Sequence, residues 1–316
     1  PEHFNAAVDA KKHVFMERPV AVDAPGIRTV LAAGEKAKQY TLSVVAGTQR
    51  RHQREYVETQ SRIANGAIGK IVAARCYWNQ SYLWHRLRQK GWTDMEAMLQ
   101  DWVNWCWLSG DHIVEQHVHN LDVIAWFTGL YPAKAVGMGG RARRLTGDQY
   151  DFFSVDFAYA NGMHNASMCR QVDACANSVS EYIVGTEGST NCRNTIYDLD
   201  GKTVWKHGEV AQEPGQPKAQ ADDEEKPKFN PYEEEHVHLV TAIRTNTPIN
   251  EAENVAKSTL MGIMGRTAAY TGTEVTWDQV MSSEERLGPA EYKMGPVAIK
   301  AQIPVPGMAP KAAENA

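Results

Sequence analysis

Two short apolar runs, Lys12 to Met16 (KHVFM) and Ser43 to Gly47 (SVVAG), flank a segment that reads as a capped helix, and no other feature constrains the fold as much. Asp23-Ala24-Pro25 is a helix start, with an aspartate able to accept the first free backbone N–H groups and a proline where its missing N–H costs nothing. Ile27, Val30 and Leu31 continue a helical apolar face towards Gln39. Strand, helix and strand of these lengths make a parallel crossover unit, the building block of a doubly wound sheet. Phe4, Ala7 and Val8 carry a helical face ahead of the first run, so the chain opens inside a helix–strand unit.

The texture changes after Gly47. A polar helix is expected from Gln53 to Ala64, a turn at Asn65-Gly66, and a strand from Ile71 to Trp78. Tryptophans crowd the stretch from Trp84 to Trp107, and a single helix is expected from Gly110 to Phe127. From Ala133 to Trp205, short strands broken at Asn161-Gly162, Glu187-Gly188 and Asp200-Gly201 read as a mostly antiparallel sheet. Gly208 to Asn230 is polar and proline-rich and reads as an exposed loop; helices follow at Tyr232 to Arg244 and Ala252 to Tyr270. The expected fold class is α/β: a partial Rossmann layer of parallel strands over residues 1–46, an α+β unit with a large mostly antiparallel sheet over 47–287, and an extended, poorly packed tail over 288–316.

Composition narrows the function classes. A 316-residue chain with 43% hydrophobic and 22% charged residues suits a globular protein. A net charge of -5 argues against a nucleic-acid surface, and no run of 18 apolar residues suggests a membrane span. The five cysteines form no Cys-x-x-Cys pair and read as small buried apolar residues.

Two clusters carry chemistry. Glu17-Arg18-Pro19 follows the first strand directly, at the carboxyl end where ligands bind in open α/β sheets. A strand-end ion pair is the bland alternative. In the stretch Gly110 to Asp122, helical spacing would put Glu115, His119 and Asp122 on one face, with His112 one turn earlier. A carboxylate there could hold one histidine tautomer and poise it as a general acid or base; the alternative is a polar face satisfied within the core. No metal site is expected, because a zinc helix needs His-x-x-x-His and Gln116 occupies that place. Arg50 and Arg51 follow the second strand and lie near the same crevice. Trp107 and its neighbouring tryptophans could stack on a sugar ring or pack between units.

The order of these pieces, with Ala67 to Val72 and the later runs Arg266 to Gly272 and Val275 to Asp278, resembles the glucose-fructose oxidoreductase and inositol dehydrogenase family. The resemblance implies hydride transfer between a sugar or polyol hydroxyl and NAD or NADP. By position it implies His119 as the catalytic histidine, Glu115 in the place of an aspartate, and Arg18 in the place of a lysine. A guanidinium can anchor charge but cannot relay a proton. It also implies Glu17, Arg18, Pro19 and His3 on the cofactor side, and Arg50, Arg51, His112, Asp122 and Trp107 on the substrate side. A cis Arg18-Pro19 bond and a homodimer or homotetramer are expected as well. The family's Gly-x-Gly-x-x-Gly turn is not found, so roughly 80 further residues would be needed upstream to complete the cofactor layer. A cytoplasmic location is expected, or export if a signal precedes Pro1. An NAD-dependent glycosidase of the same family and a catalytically idle sugar-binding member remain open alternatives.

Overall fold

The computed structural model describes residues 1–209 and 229–308. The chain begins with α1 (Glu2–Asp9), β1 (Val14–Met16), α2 (Ala24–Gln39) and β2 (Val44–Ala46). β1 and β2 pair in parallel, Val14 opposite Val44 and Met16 opposite Ala46. The cap of α2 forms as its sequence requires: Asp23 Oδ1 accepts from the backbone N–H of Gly26 at 2.8 Å. Ile27, Val30, Ala33 and Ala37 then bury one face of the helix against the core.

A second stretch of the chain returns to this layer. Val44 N–H donates to the carbonyl of Ile249 and Glu251 N–H donates to that of Val44, so residues 249–251 add a rung beside β2.

Beyond β2 come α3 (Arg54–Ala64), β3 (Ile71–Gln80), α4 (Asp94–Gln100), α5 (Cys106–Ser109), α6 (His112–Glu115) and α7 (Val118–Thr128). The strands β4 (Lys134–Gly140), β5 (Phe152–Ala158), β6 (His164–Gln171), β7 (Ser178–Gly185), β8 (Ser189–Thr190), β9 (Thr195–Tyr197) and β10 (Thr203–Lys206) follow. Then come α8 (Pro231–Thr245), α9 (Ala252–Thr271), β11 (Val275–Thr276) and α10 (Trp277–Met281). These strands form one nine-stranded sheet in the order β10-β9-β8-β7-β3-β6-β5-β4-β11. Only the β3–β6 pair is parallel. The fold class is therefore α/β with a large, mostly antiparallel mixed sheet.

β5 and β6 alternate exposed and buried residues, so one sheet face is covered and the other open. Helix α9 joins the layers: it is buried nearly all round and packs against α2, α7, β4 and β5. Gly262 and Gly265 let it approach α6 closely, since a Cβ on Gly265 would lie 2.9 Å from Ile113 Cδ1 and one on Gly262 3.2 Å from the Ile113 carbonyl.

Three expectations are corrected. The helix expected from 110 to 127 is broken: α6 ends at Glu115, α7 starts at Val118, and Asp111 takes a left-handed backbone with φ 73°. The described part of the tail is extended, yet it is held in place. Val297 N–H donates to Asp94 Oδ2, Tyr150 Oη to the Pro304 carbonyl and Gly307 N–H to that of Thr271, while Val297 and Ile299 pack on Met95, Met98 and Trp107. All five cysteines are free, and Cys175 is exposed rather than buried. Of the loop expected from Gly208 to Asn230, residues 210–228 lie outside the described residues, as do 309–316. Among the described residues no helix is long and apolar enough to cross a membrane.

Candidate functional site

The carboxyl ends of β1 and β2 place two loops side by side. The first is Glu17-Arg18-Pro19, with a cis Arg18-Pro19 bond. The second runs through Gly47 into a 3-10 turn at Gln49–His52. Gly47 N–H donates to the Met16 carbonyl at 2.9 Å, and the absence of a side chain at Gly47 leaves room for the Glu17 carboxylate. His3 is exposed on α1. That helix leads into β1, and Pro1 packs beside Gly26 near the start of α2, so His3 lies at the same end of the parallel pair as Glu17.

Arg18 reaches from this loop to α6. Its Nη1 donates to Glu115 Oε1 at 2.7 Å and to the Glu115 backbone carbonyl. Gln116 Nε2 donates to both Glu115 carboxylate oxygens at 2.8 and 2.6 Å. Glu115 is thereby committed to Arg18 and Gln116, and among the described residues it makes no hydrogen bond to His119. The break between α6 and α7 is the reason: the four-residue step that would align the two side chains holds only along a continuous helix. The expectation that Glu115 orients His119 is corrected accordingly.

His119 sits in the first turn of α7, with 5% of its surface exposed. Its imidazole stacks on the indole of Trp78 from β3, with ring centroids 5.6 Å apart and 23° between the planes. Burial pushes its pKa well below the usual 6.5, and the positive charges of Arg18 and Arg50 push the same way. Burial and these charges thus favour the neutral form of the imidazole. Its imidazole makes no hydrogen bond to another described residue, and neither ring nitrogen is buried without a partner.

The wall behind the histidine consists of paired charges. Arg50 donates to Glu181 Oε1, and its guanidinium lies over the Trp78 ring at 5.5 Å. Glu181, buried on β7, also accepts from Asn120 Nδ2 at 2.6 Å and from the Tyr56 hydroxyl at 3.1 Å. Arg51 forms a two-pronged pair with Asp122 at 2.8 and 2.9 Å, and Ser258 Oγ donates to Asp122 at 2.7 Å. The structure therefore spends Asp122, expected on the substrate side, on Arg51 and Ser258.

Two more expected substrate residues are buried in contacts of their own. His112 is 1% exposed, bonded to Asp111 at 2.9 Å and packed on Phe153, because the left-handed turn at Asp111 directs it into the core. Trp107 is 7% exposed and lies beneath the tail, against Tyr292 and Gly288. His117 is buried behind His119, with Nε2 2.6 Å from Ser167 Oγ and its pKa lowered to about 3, chiefly by burial.

Trp78 and Glu181 were not singled out from the sequence. Period-two alternation offered a signal, since Ala74, Cys76 and Trp78 share the covered face of β3. Beside the site, His52 Nδ1 lies 2.7 Å from His238 Nδ1 and its Nε2 lies 3.2 Å from Glu251. The neighbouring Glu235 is 2% exposed and its pKa is raised to about 7, chiefly by burial. Among the described residues no three His, Cys, Asp or Glu side chains are arranged to hold a metal ion.

Comparison with known proteins bears on this arrangement. Residues 56–191, which span α3 to β8 and include Trp78, Glu115 and His119, match the GFO/IDH/MocA C-terminal domain. An inositol 2-dehydrogenase/D-chiro-inositol 3-dehydrogenase of Halalkalibacterium halodurans is 26% identical over 152 residues, 48% of this chain but only 32% of that relative. An oxidoreductase domain protein from Kribbella flavida superposes with a TM-score of 0.69 at 17% identity, covering 87% of this chain and 76% of the other. An oxidoreductase from Agrobacterium radiobacter, solved in complex with NAD+, L-tartaric acid and magnesium, gives 0.61 at 13% identity, covering 88% and 76%. Likeness at these identities establishes the shared fold.

Proposed function

We propose that this chain belongs to an NAD(P)-dependent oxidoreductase that interconverts a sugar or polyol hydroxyl and the corresponding carbonyl, with His119 handling the hydroxyl proton. One observation carries the reading. The His119 imidazole makes no hydrogen bond among the described residues, and its pKa is held down by burial and by the charge of Arg18, which stands at the carboxyl end of β1, where an α/β sheet binds its ligand.

The loops beside it fit the nicotinamide half of a dinucleotide. Thr48 Oγ1 and Gln49 Oε1, at the carboxyl end of β2, are buried polar atoms without a partner among the described residues. Glu17, Arg18 and Pro19 edge the same crevice, with His3 at the same end of the layer. When bound, the cofactor supplies the hydride acceptor or donor at nicotinamide C4. The protein's part is to hold the carbinol carbon and move one proton. His119 takes the hydroxyl proton on a ring nitrogen as the carbonyl forms, and returns it in the reverse direction. Arg18 anchors the oxygen's developing charge, and Glu115 and Gln116 hold Arg18 in place. In this reading residues 1–46 edge the cofactor layer, 47–287 form the substrate unit, and the described part of the tail, 288–308, straps the tryptophan-rich lobe.

The open sheet face exposes Val136, Met138, Phe152, Met168 and Val184, an apolar surface suited to a second copy in a homodimer or homotetramer. The reading is tested by following reduced nicotinamide in the complete protein with a panel of inositols, hexoses and their ketones. Substrate-dependent reduction of NAD or NADP supports it; release of reducing sugar with no net reduction would favour the glycosidase alternative.

A further inference from the structure

We propose that Trp78 is the positioning residue for His119, holding the imidazole in the cleft by ring stacking in place of the carboxylate expected for that task. The proposal rests on the reading that His119 moves the proton, but its test does not. Three observations lead to it.

First, among the described residues the ring of His119 has no hydrogen-bonding orienter. Glu115 is spent on Arg18 and Gln116, Asp122 on Arg51 and Ser258, and Asn120 on Glu181 and two strand carbonyls. The stack with Trp78, at 5.6 Å and 23°, is the aromatic contact that remains. Such a contact between flat faces contributes about 0.5–1.5 kcal/mol beyond area burial, enough to select one rotamer without occupying either nitrogen. A hydrogen-bonded carboxylate would occupy one of them.

Second, Trp78 is held on several sides. β3 is a central strand: Trp78 pairs with Cys169 on parallel β6 and with Val179 on antiparallel β7. The Arg50 guanidinium lies over its ring, and that guanidinium is itself tied to buried Glu181. The line Glu181, Arg50, Trp78, His119 transmits the rigidity of the sheet to a residue in a helix's first turn.

Third, the indole Nε1 is sealed from solvent and has no acceptor. A tryptophan kept where its own N–H is unsatisfied carries a cost that a plain apolar residue would not. Position 78 therefore uses the ring face rather than the polar tip.

The test is spectroscopic and needs neither substrate nor cofactor. The protein, carrying eleven histidines, is labelled with carbon-13 in its histidine rings, and the His119 signals are assigned by their loss in His119→Gln. Trp78→Leu should move the His119 ring protons downfield by loss of indole shielding and broaden them through rotamer averaging. Trp78→Phe, which keeps a ring face, should retain most of the parental shift. Should Trp78→Leu unfold the chain, the comparison between Trp78→Phe and Trp78→Met decides the matter in the same way. His119 signals unchanged in the ringless variants would overturn the proposal. A turnover assay of His119→Ala is a separate experiment, and its failure would sink the catalytic reading while leaving the stacking result standing.

Discussion

Asp122→Ala deletes the partner of a buried guanidinium. In the folded protein the Arg51 side chain is 11% exposed and Asp122 2%, and the carboxylate accepts both prongs of Arg51 together with the Ser258 hydroxyl. Removing one member of such a pair leaves a charge without water or counterion, a loss of about 3–5 kcal/mol. For a chain of this length, with an unfolding entropy near 2 cal/mol/K per residue, that corresponds to a fall in melting temperature of roughly 5–8 °C. Calorimetry measures the shift directly, and urea unfolding should show a lower midpoint with an unchanged slope. Arg51→Met with Asp122→Ala should lose less than Asp122→Ala alone, because the double variant leaves no unpaired charge. A melting temperature within about 1 °C of the parent would refute the reasoning: Asp122 would then be free to bind substrate, as its spacing first suggested.

Two further outcomes follow from the same geometry. Glu235 takes up a proton on folding, because burial raises its pKa from the ordinary 4.5 to about 7, so stability should fall as pH rises between those values and level off above; Glu235→Gln should flatten that slope in urea titrations from pH 5 to 8, and an unaltered slope would show the group to be solvated. Phe152→Arg, on the open face of the sheet, should convert a dimer or tetramer to a monomer by light scattering, and a monomeric parent would rule out that face as an interface.

The legible parts of the fold were those set by neighbours in sequence. Asp23 and Pro25 announce α2, and the apolar runs around Val14 and Val44 announce a parallel pair, because caps and short-range periodicity act locally. The break after Glu115 was not legible. No glycine or proline marks it; His117 instead turns into the core to meet Ser167 and Cys76, partners 50 and 41 residues away. Trp107 was misplaced for a related reason, since the tail that covers it comes from the far end of the chain. In the candidate site, Arg18 and His119 could be named as candidates, but their pairings could not be read. Whether Glu115 faces His119 or Arg18 depends on where two loops and a broken helix meet, and spacing along one helix carries no information about the other elements.

With the hydroxyl proton assigned to His119, the decisive assay is single-turnover hydride transfer in the complete protein. With an accepted polyol, His119→Ala should slow the appearance of reduced nicotinamide on the order of 100-fold or more, with substrate affinity changed far less. Reduction at the parental rate in His119→Ala would contradict the account and leave the His119–Trp78 stack as a structural feature of the cleft wall.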